Sequence, residues 1–161
     1  FGDDSRHREE IARFIAEILR DDTLYLLGAG STTGSISSVL DQPSSLLGVD
    51  ALFRREVIAT DLTESGILSL LDVYDRVKII LSPIGAQGFV LGRGNQQISS
   101  RVLTRTGTDA LIVVATPEKL GRTGLLYLDT GDPALNARFD QTIQVVCGYR
   151  MARRLPVGTV C

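Results

Sequence analysis

The strongest constraint on how this chain can fold is a set of short, nearly continuous apolar runs: Leu24-Tyr25-Leu26-Leu27, Val77-Lys78-Ile79-Ile80-Leu81, Leu111-Ile112-Val113-Val114 and Ile143-Gln144-Val145-Val146. Runs this short read as strands, and their lack of alternation means that both faces of each strand need cover. Leu46-Leu47-Gly48-Val49 and Leu125-Leu126-Tyr127-Leu128 read the same way. Between the runs the apolar spacing changes to three and four. Ile11, Phe14, Ile15, Ile18 and Leu19 form one face of an opening helix, and Arg8, Glu9, Arg13, Glu17 and Arg20 form the other. Asp3, Asp4 and Ser5 are its cap candidates, and Asp21-Asp22 close it. Ile36, Val39 and Leu40 mark a second helix. Ile67, Leu68, Leu70 and Leu71 mark a third, behind the imperfect capping sequence Thr63-x-x-Gly66, and residues 134–139 form a short helical link. The pattern predicts an α/β fold: a mainly parallel sheet with helices on both faces, in a Rossmann-like three-layer arrangement. The last two strands, 125–128 and 143–146, are expected as an antiparallel addition. No repeat, low-complexity tract or linker divides residues 1–161, so the reading is a single domain.

Composition narrows the partners. The chain is 43% hydrophobic and 22% charged, the balance of a soluble globular protein. Its 17 basic and 19 acidic residues give a formal charge of −2, which argues against nucleic acid held on a general basic surface but leaves room for a local anion site. No apolar run approaches the ~18 residues that cross a bilayer, so no membrane partner is expected. Two cysteines, Cys147 and Cys161, are too few for a disulfide framework and suggest a reducing compartment. The chain opens Phe1-Gly2-Asp3-Asp4 and its only methionine is Met151, so it is expected to belong to something longer.

Polar residues and glycines gather after the apolar runs, where an open parallel sheet binds its ligands. Gly28-Ala29-Gly30-Ser31-Thr32-Thr33 follows the first run. Its glycines admit close backbone approach and its hydroxyls open a helix, which together make a phosphate-sized site. The Gly-Lys-Ser/Thr ending of nucleotide hydrolases is missing, and an ordinary tight turn with a Ser31 or Thr32 cap is the plainer alternative. The stretch from Gly85 to Gln97 sets Gly85, Gly88, Gly92 and Gly94 around Arg93, Asn95, Gln96 and Gln97. There a guanidinium can face a phosphate and carboxamides can read a base or sugar edge, whereas a hairpin with solvated amides is the structural alternative. Asp50 ends the second run and Asp129 follows the fifth; either can serve as a general base or help hold a cation. Asp132, before Pro133, reads as a helix cap. His7 is the only histidine and reads as solvated, which argues against Ser-His-Asp catalysis or a histidine metal site. Cys147 reads as core, and Arg150, Arg153 and Arg154 as a short basic tail, frayed or in contact with a partner.

Three segments carry a family resemblance: Leu81 to Gln97, Val114-Ala115-Thr116-Pro117-Glu118-Lys119-Leu120, and Leu128-Asp129-Thr130-Gly131-Asp132. With Leu26 to Thr33, they resemble the ATP-NAD kinase-like proteins, in the branch related to acetoin-catabolism proteins. The resemblance runs through most of residues 7–149. It implies a cytoplasmic protein related to kinases of NADP biosynthesis, which phosphorylate the adenosine 2′-hydroxyl of NAD using ATP or polyphosphate and Mg²⁺. On that basis Gly28, Gly30, Ser31, Thr32, Thr33, Gly85, Gly88, Gly92, Arg93, Gly94, Asn95, Gln96 and Thr116 are the cofactor- or acceptor-binding candidates. Asp50 and Asp129 are the catalytic candidates, and no metal ligand is assigned. The family's Gly-Gly-Asp-Gly-Thr segment is not in this sequence, nor is the Asn-Glu pair for the nicotinamide ribose, so the chain reads as a carboxyl-terminal portion whose donor-binding half lies elsewhere. Self-association into a homo-oligomer is expected by the same analogy. Two other readings stand beside this one: a non-enzymatic sensor of a phosphorylated metabolite, and a ribose-5-phosphate-isomerase-like domain with Asp50 as base.

Overall fold

The computed structural model describes residues 2–158; Cys161 and the Asp3 side chain, named above, lie outside the described parts. In chain order the elements are α1 (Gly2–Ile18), β1 (Leu24–Leu27), α2 (Ser31–Val39), β2 (Val49–Phe53), β3 (Glu56–Leu62), α3 (Glu64–Leu71), β4 (Val77–Leu81) and β5 (Phe89–Leu91). They continue with α4 (Ser100–Thr106), a single 3₁₀ turn at Thr108–Ala110, β6 (Leu111–Val114), α5 (Pro117–Thr123), β7 (Leu126–Leu128), α6 (Pro133–Asn136), β8 (Thr142–Gly148) and β9 (Met151–Gly158). All nine strands join one mixed, mostly parallel sheet in the order β3-β2-β1-β4-β6-β8-β9-β7-β5.

The four leading apolar runs become its parallel centre, β1-β4-β6-β8, with Leu26 opposite Ile79, Ile80 opposite Ile112 and Val113 opposite Val145. Their residues point alternately to two covered faces. Tyr25, Leu27, Ile80 and Val114 meet Ile11, Ala12 and Ile15 of α1 and Ile36 of α2. Leu24, Leu26, Ile79, Leu81, Val113 and Val145 enter a larger core with Ile67 of α3, Val102 and Leu103 of α4, and Val90, Leu91, Leu126 and Leu128 from the far strands. Near-continuous apolarity is therefore explained by cover on both sides.

The far strands must roll back over the centre. Strand β5 stands six places from β1, about 29 Å away in a flat sheet at ~4.8 Å per strand. Yet Asn95, four residues beyond β5, accepts a hydrogen bond from the Ala29 amide just after β1, at 2.8 Å. Four residues reach no more than about 14 Å, so the sheet is strongly curled. The curl puts β5 and β7 on the second face, where they share the cover with α3 and α4.

Several details differ from the sequence reading. The second strand begins at Val49, whereas Leu46 and Leu47 lie in an exposed loop, Leu47 being 90% accessible. The Asp50 carboxylate, which accepts from the Ser45 amide and hydroxyl and from the Asp61 amide, pins that loop beside the strand start. Strand β3 carries no loud turn signal before it. Its hairpin turns on Arg54-Arg55, both at positive φ (51° and 68°), where Asn-Gly is usual. Residues 85–97 contain a short strand, β5, and helices α4 and α5 fill stretches that showed little periodicity. The antiparallel C-terminal pair exists, but it is β8 with β9, while β7 runs parallel to β9 and β5. Arg153 and Arg154 therefore belong to an inner strand and not to a frayed tail. The caps at Thr63 and Asp132 form as read, accepting from Gly66 N and from Ala134 N, and Cys147 is core.

Ile79 is fully buried in the centre of the larger core, whereas Ile58 on edge strand β3 is 43% exposed. Ile79→Ala should lower unfolding stability by about 2–5 kcal/mol, and Ile58→Ala by about 0.5 kcal/mol, measured by urea titration with an unchanged m-value.

Candidate functional site

The carboxyl ends of β1, β4 and β6 open into one cleft of about 310 Å³. Ala29, Gly30, Ser31 and Thr32 line it after β1, Ser82 to Gly85 after β4, and Thr116 after β6. Two walls come from elsewhere. Leu46 and Leu47 stand at the β2 end, and Asp4 and Arg8 of α1 face Lys119 and Arg122 of α5 at the β6 end.

The turn after β1 is built for close approach. A Cβ at Gly28 would collide with Leu81 and with Asn95 Oδ1, so only glycine lets the strand leave beside the second loop. Gly30 has φ 119° and ψ 169°, a region that side chains avoid, and a Cβ there would meet nothing within 4 Å. Gly30 is the N-cap of α2 and supplies no side-chain cap, so the helix's first turn is left uncapped where Ser31 and Thr32 line the cleft. The Thr33 hydroxyl, buried, donates to Gly28 O at 2.6 Å and holds the turn. Uncapped helical amides carry the positive end of the helix dipole and suit an anion.

At the other end, the buried Thr116 hydroxyl accepts from the Lys119 amide and donates to Asp4 Oδ1 at 2.7 Å. Arg8 forms an ion pair with the same Asp4 carboxylate. Burial, then the neighbouring Arg122, push Lys119 below the ordinary lysine range, with Asp4 opposing. His7, read from sequence as solvated, is half-buried and bonded to Glu118 at 2.9 Å.

The sequence candidates thus divide. Gly30, Ser31, Thr32, Gly85 and Thr116 line the cleft, and Gly28 and Thr33 shape its floor. Asn95 joins them from the second loop. It is 5% exposed, its Oδ1 takes the Ala29 amide, and its buried Nδ2 has no hydrogen-bond partner. Gly94 packs on Ile84, while Gly88 and Gly92 pack on Leu125 and Asp129 of the β7 region. Arg93 is exposed, stacked over Phe89 at 4.7 Å and bonded to Gln87 Oε1, and Gln96 is exposed. Asp50 lies inside β2 with three donors on its carboxylate. Asp129 borders a different cleft, of about 540 Å³, and accepts from the Gly131 amide and Asn136 Nδ2. Lys119, Arg122 and Arg8 were not singled out by sequence. Lys119 had a signal, since Thr116-Pro117 reads as an N-cap with proline at N1 and sets Lys119 in the first turn. Nothing in the sequence brings Arg8 to the same place.

Among the described residues no group of three or more His, Cys, Asp or Glu side chains comes together as a cation site, and Asp4 is committed to Arg8 and Thr116. These residues offer no all-protein carboxylate cage for Mg²⁺.

The fold and the cleft define an α/β domain with a ligand-sized opening at the carboxyl edge of its parallel strands. Residues 20–157 match the ATP-NAD kinase C-terminal domain, and the chain belongs to that family. No curated protein and no solved structure matches it. Helix α1, which supplies Asp4 and Arg8, precedes the matched residues. No helix among the described residues is long and apolar enough to cross a membrane.

Replacing Asp50 by Ala leaves the Ser45 and Asp61 amides unpaired beside a buried site. It should cost about 1–3 kcal/mol in urea unfolding, as expected for a carboxylate that pins the 42–48 loop.

Proposed function

We propose that this domain binds the nucleotide acceptor of an ATP-NAD kinase-like protein, with NAD as the ligand of the cleft. The observation that carries the reading is the uncapped start of α2 at Gly30, which opens into a cleft at the carboxyl edge of the sheet. Ser31 and Thr32 offer hydroxyls beside the free amides for a phosphate group, and Leu46, Leu47 and Ile84 give apolar surface for a base. Family membership supports the nucleotide class. The branch related to acetoin catabolism rests on the run from Leu81 to Gln97, of which Asn95 reaches the first loop.

In the intact protein the activity is phosphoryl transfer. The γ-phosphoryl of ATP passes to the 2′-oxygen of NAD, the hydroxyl loses its proton, and ADP leaves. Binding and orienting the acceptor fall to this domain, and the Gly-Gly-Asp-Gly-Thr segment of a separate part completes the donor site.

Calorimetric titration of the 161-residue chain with NAD tests the reading. Saturable binding should appear, and Ser31→Trp, which fills the cleft mouth from an exposed position, should weaken it at least tenfold without lowering Tm. Arg93→Ala, outside the cleft on Phe89 and Gln87, should change affinity less than about threefold, the level at which rim contacts usually count. NAD binding that ignores Ser31→Trp would place the ligand elsewhere.

A further inference from the structure

A second feature of the cleft asks for its own explanation. The chain carries a formal charge of −2, yet one end of this cleft sets Arg8, Lys119 and Arg122 against the single carboxylate of Asp4. That is a local excess of two positive charges. Arg8 is satisfied by Asp4. Lys119 and Arg122 have no side-chain hydrogen bond or ion pair among the described residues, although Lys119 is partly buried and Glu118 beside it is bonded to His7. Two adjacent unpaired cations, one partly desolvated, repel each other unless an anion lies between them.

Asp4 shows what such an anion looks like. Its carboxylate bridges the Thr116 hydroxyl and the Arg8 guanidinium, so that end of the cleft already holds one set of anionic oxygens, supplied by the chain itself. Position separates it from the α2 turn. Along the carboxyl edge the strands run β1, β4, β6, which sets the Thr116–Arg122 segment two strands from Gly30, about 10 Å away.

We propose that Lys119 and Arg122, with Arg8, form a second phosphate subsite, two strands from the α2 turn, so that the cleft selects nucleotides carrying two separated anionic groups. This deepens the nucleotide-acceptor reading and rests on it. The second group is a phosphate ester or polyphosphate. It comes either from a phosphorylated ribose, as in NADP, or from a phosphoryl donor such as ATP.

The test is calorimetric titration of the 161-residue chain with inorganic pyrophosphate, NAD, NADP and ATP, before and after Lys119→Gln/Arg122→Gln. Arg122 is exposed and Lys119 lies near the helix start, so folding should persist; each single variant, checked by circular dichroism, is the fallback. Wild-type protein should bind pyrophosphate, and the double variant should weaken it roughly tenfold or more, as expected for charge-assisted contacts. A matching loss for NADP with little change for NAD assigns the subsite to a ribose phosphate. A loss confined to ATP assigns it to the donor. Equal affinities in wild-type and variant protein for pyrophosphate, NADP and ATP would overturn the subsite, as would a wild-type protein that binds none of the three. Should pyrophosphate bind in a Lys119- and Arg122-dependent way while NAD does not bind at all, the acceptor reading falls and the phosphate subsite stands.

Discussion

The cleft depends on one hydrogen bond, from the Ala29 amide to Asn95 Oδ1. It joins the turn after the first central strand to the loop beyond the outermost one, across a sheet that places them six strands apart. The bond is possible only because the sheet curls, and the curl leaves room only because Gly28 lacks a Cβ that would strike Leu81 and Asn95. Three levels meet there: a glycine in the sequence, the twist of a mixed sheet, and the shape of a ligand-sized opening. The buried Asn95 Nδ2 beside it has no partner, and an unsatisfied buried donor is tolerated mainly where structure serves something other than stability.

Electrostatics divides the cleft lengthwise. The β2 end offers Leu46 and Leu47, exposed leucines that cost solvation when nothing covers them. The middle offers the uncapped turn of α2, and the β6 end offers cations around Asp4. An apolar end, a middle of free helical amides and a cationic end are the surfaces that the proposed nucleotide, with a flat base and two separated anionic groups, calls for. The arrangement takes residues from five separate segments, so no local stretch of sequence describes it.

What the sequence made legible follows from this. The central strands could be read because burial on both faces leaves no room for alternation, and Leu24–Leu27, Val77–Leu81 and Leu111–Val114 carry that mark. The turn Gly28–Thr33 could be read because its conformation demands particular residues. Strand β9 escaped because its Met-Ala-Arg-Arg start is exposed, and β3 because its hairpin turns on two arginines. Leu46 and Leu47 misled for the opposite reason, being apolar residues displayed at a cleft mouth. Arg8 and Lys119 stayed out of view because their meeting depends on how α1 lies against α5, a tertiary fact that propensity does not encode.

Strand β9 has a consequence for the order of assembly. Among the described residues it is the last strand, yet it alone connects β7 and β5 to β8 and the centre. During synthesis the N-terminal strands and helices can pair as they emerge, but the β5–β7 pair has no link to the central strands until residues 151–158 have been made. Asn95, whose side chain ties the second loop to the turn after β1, is thus translated early and locked late.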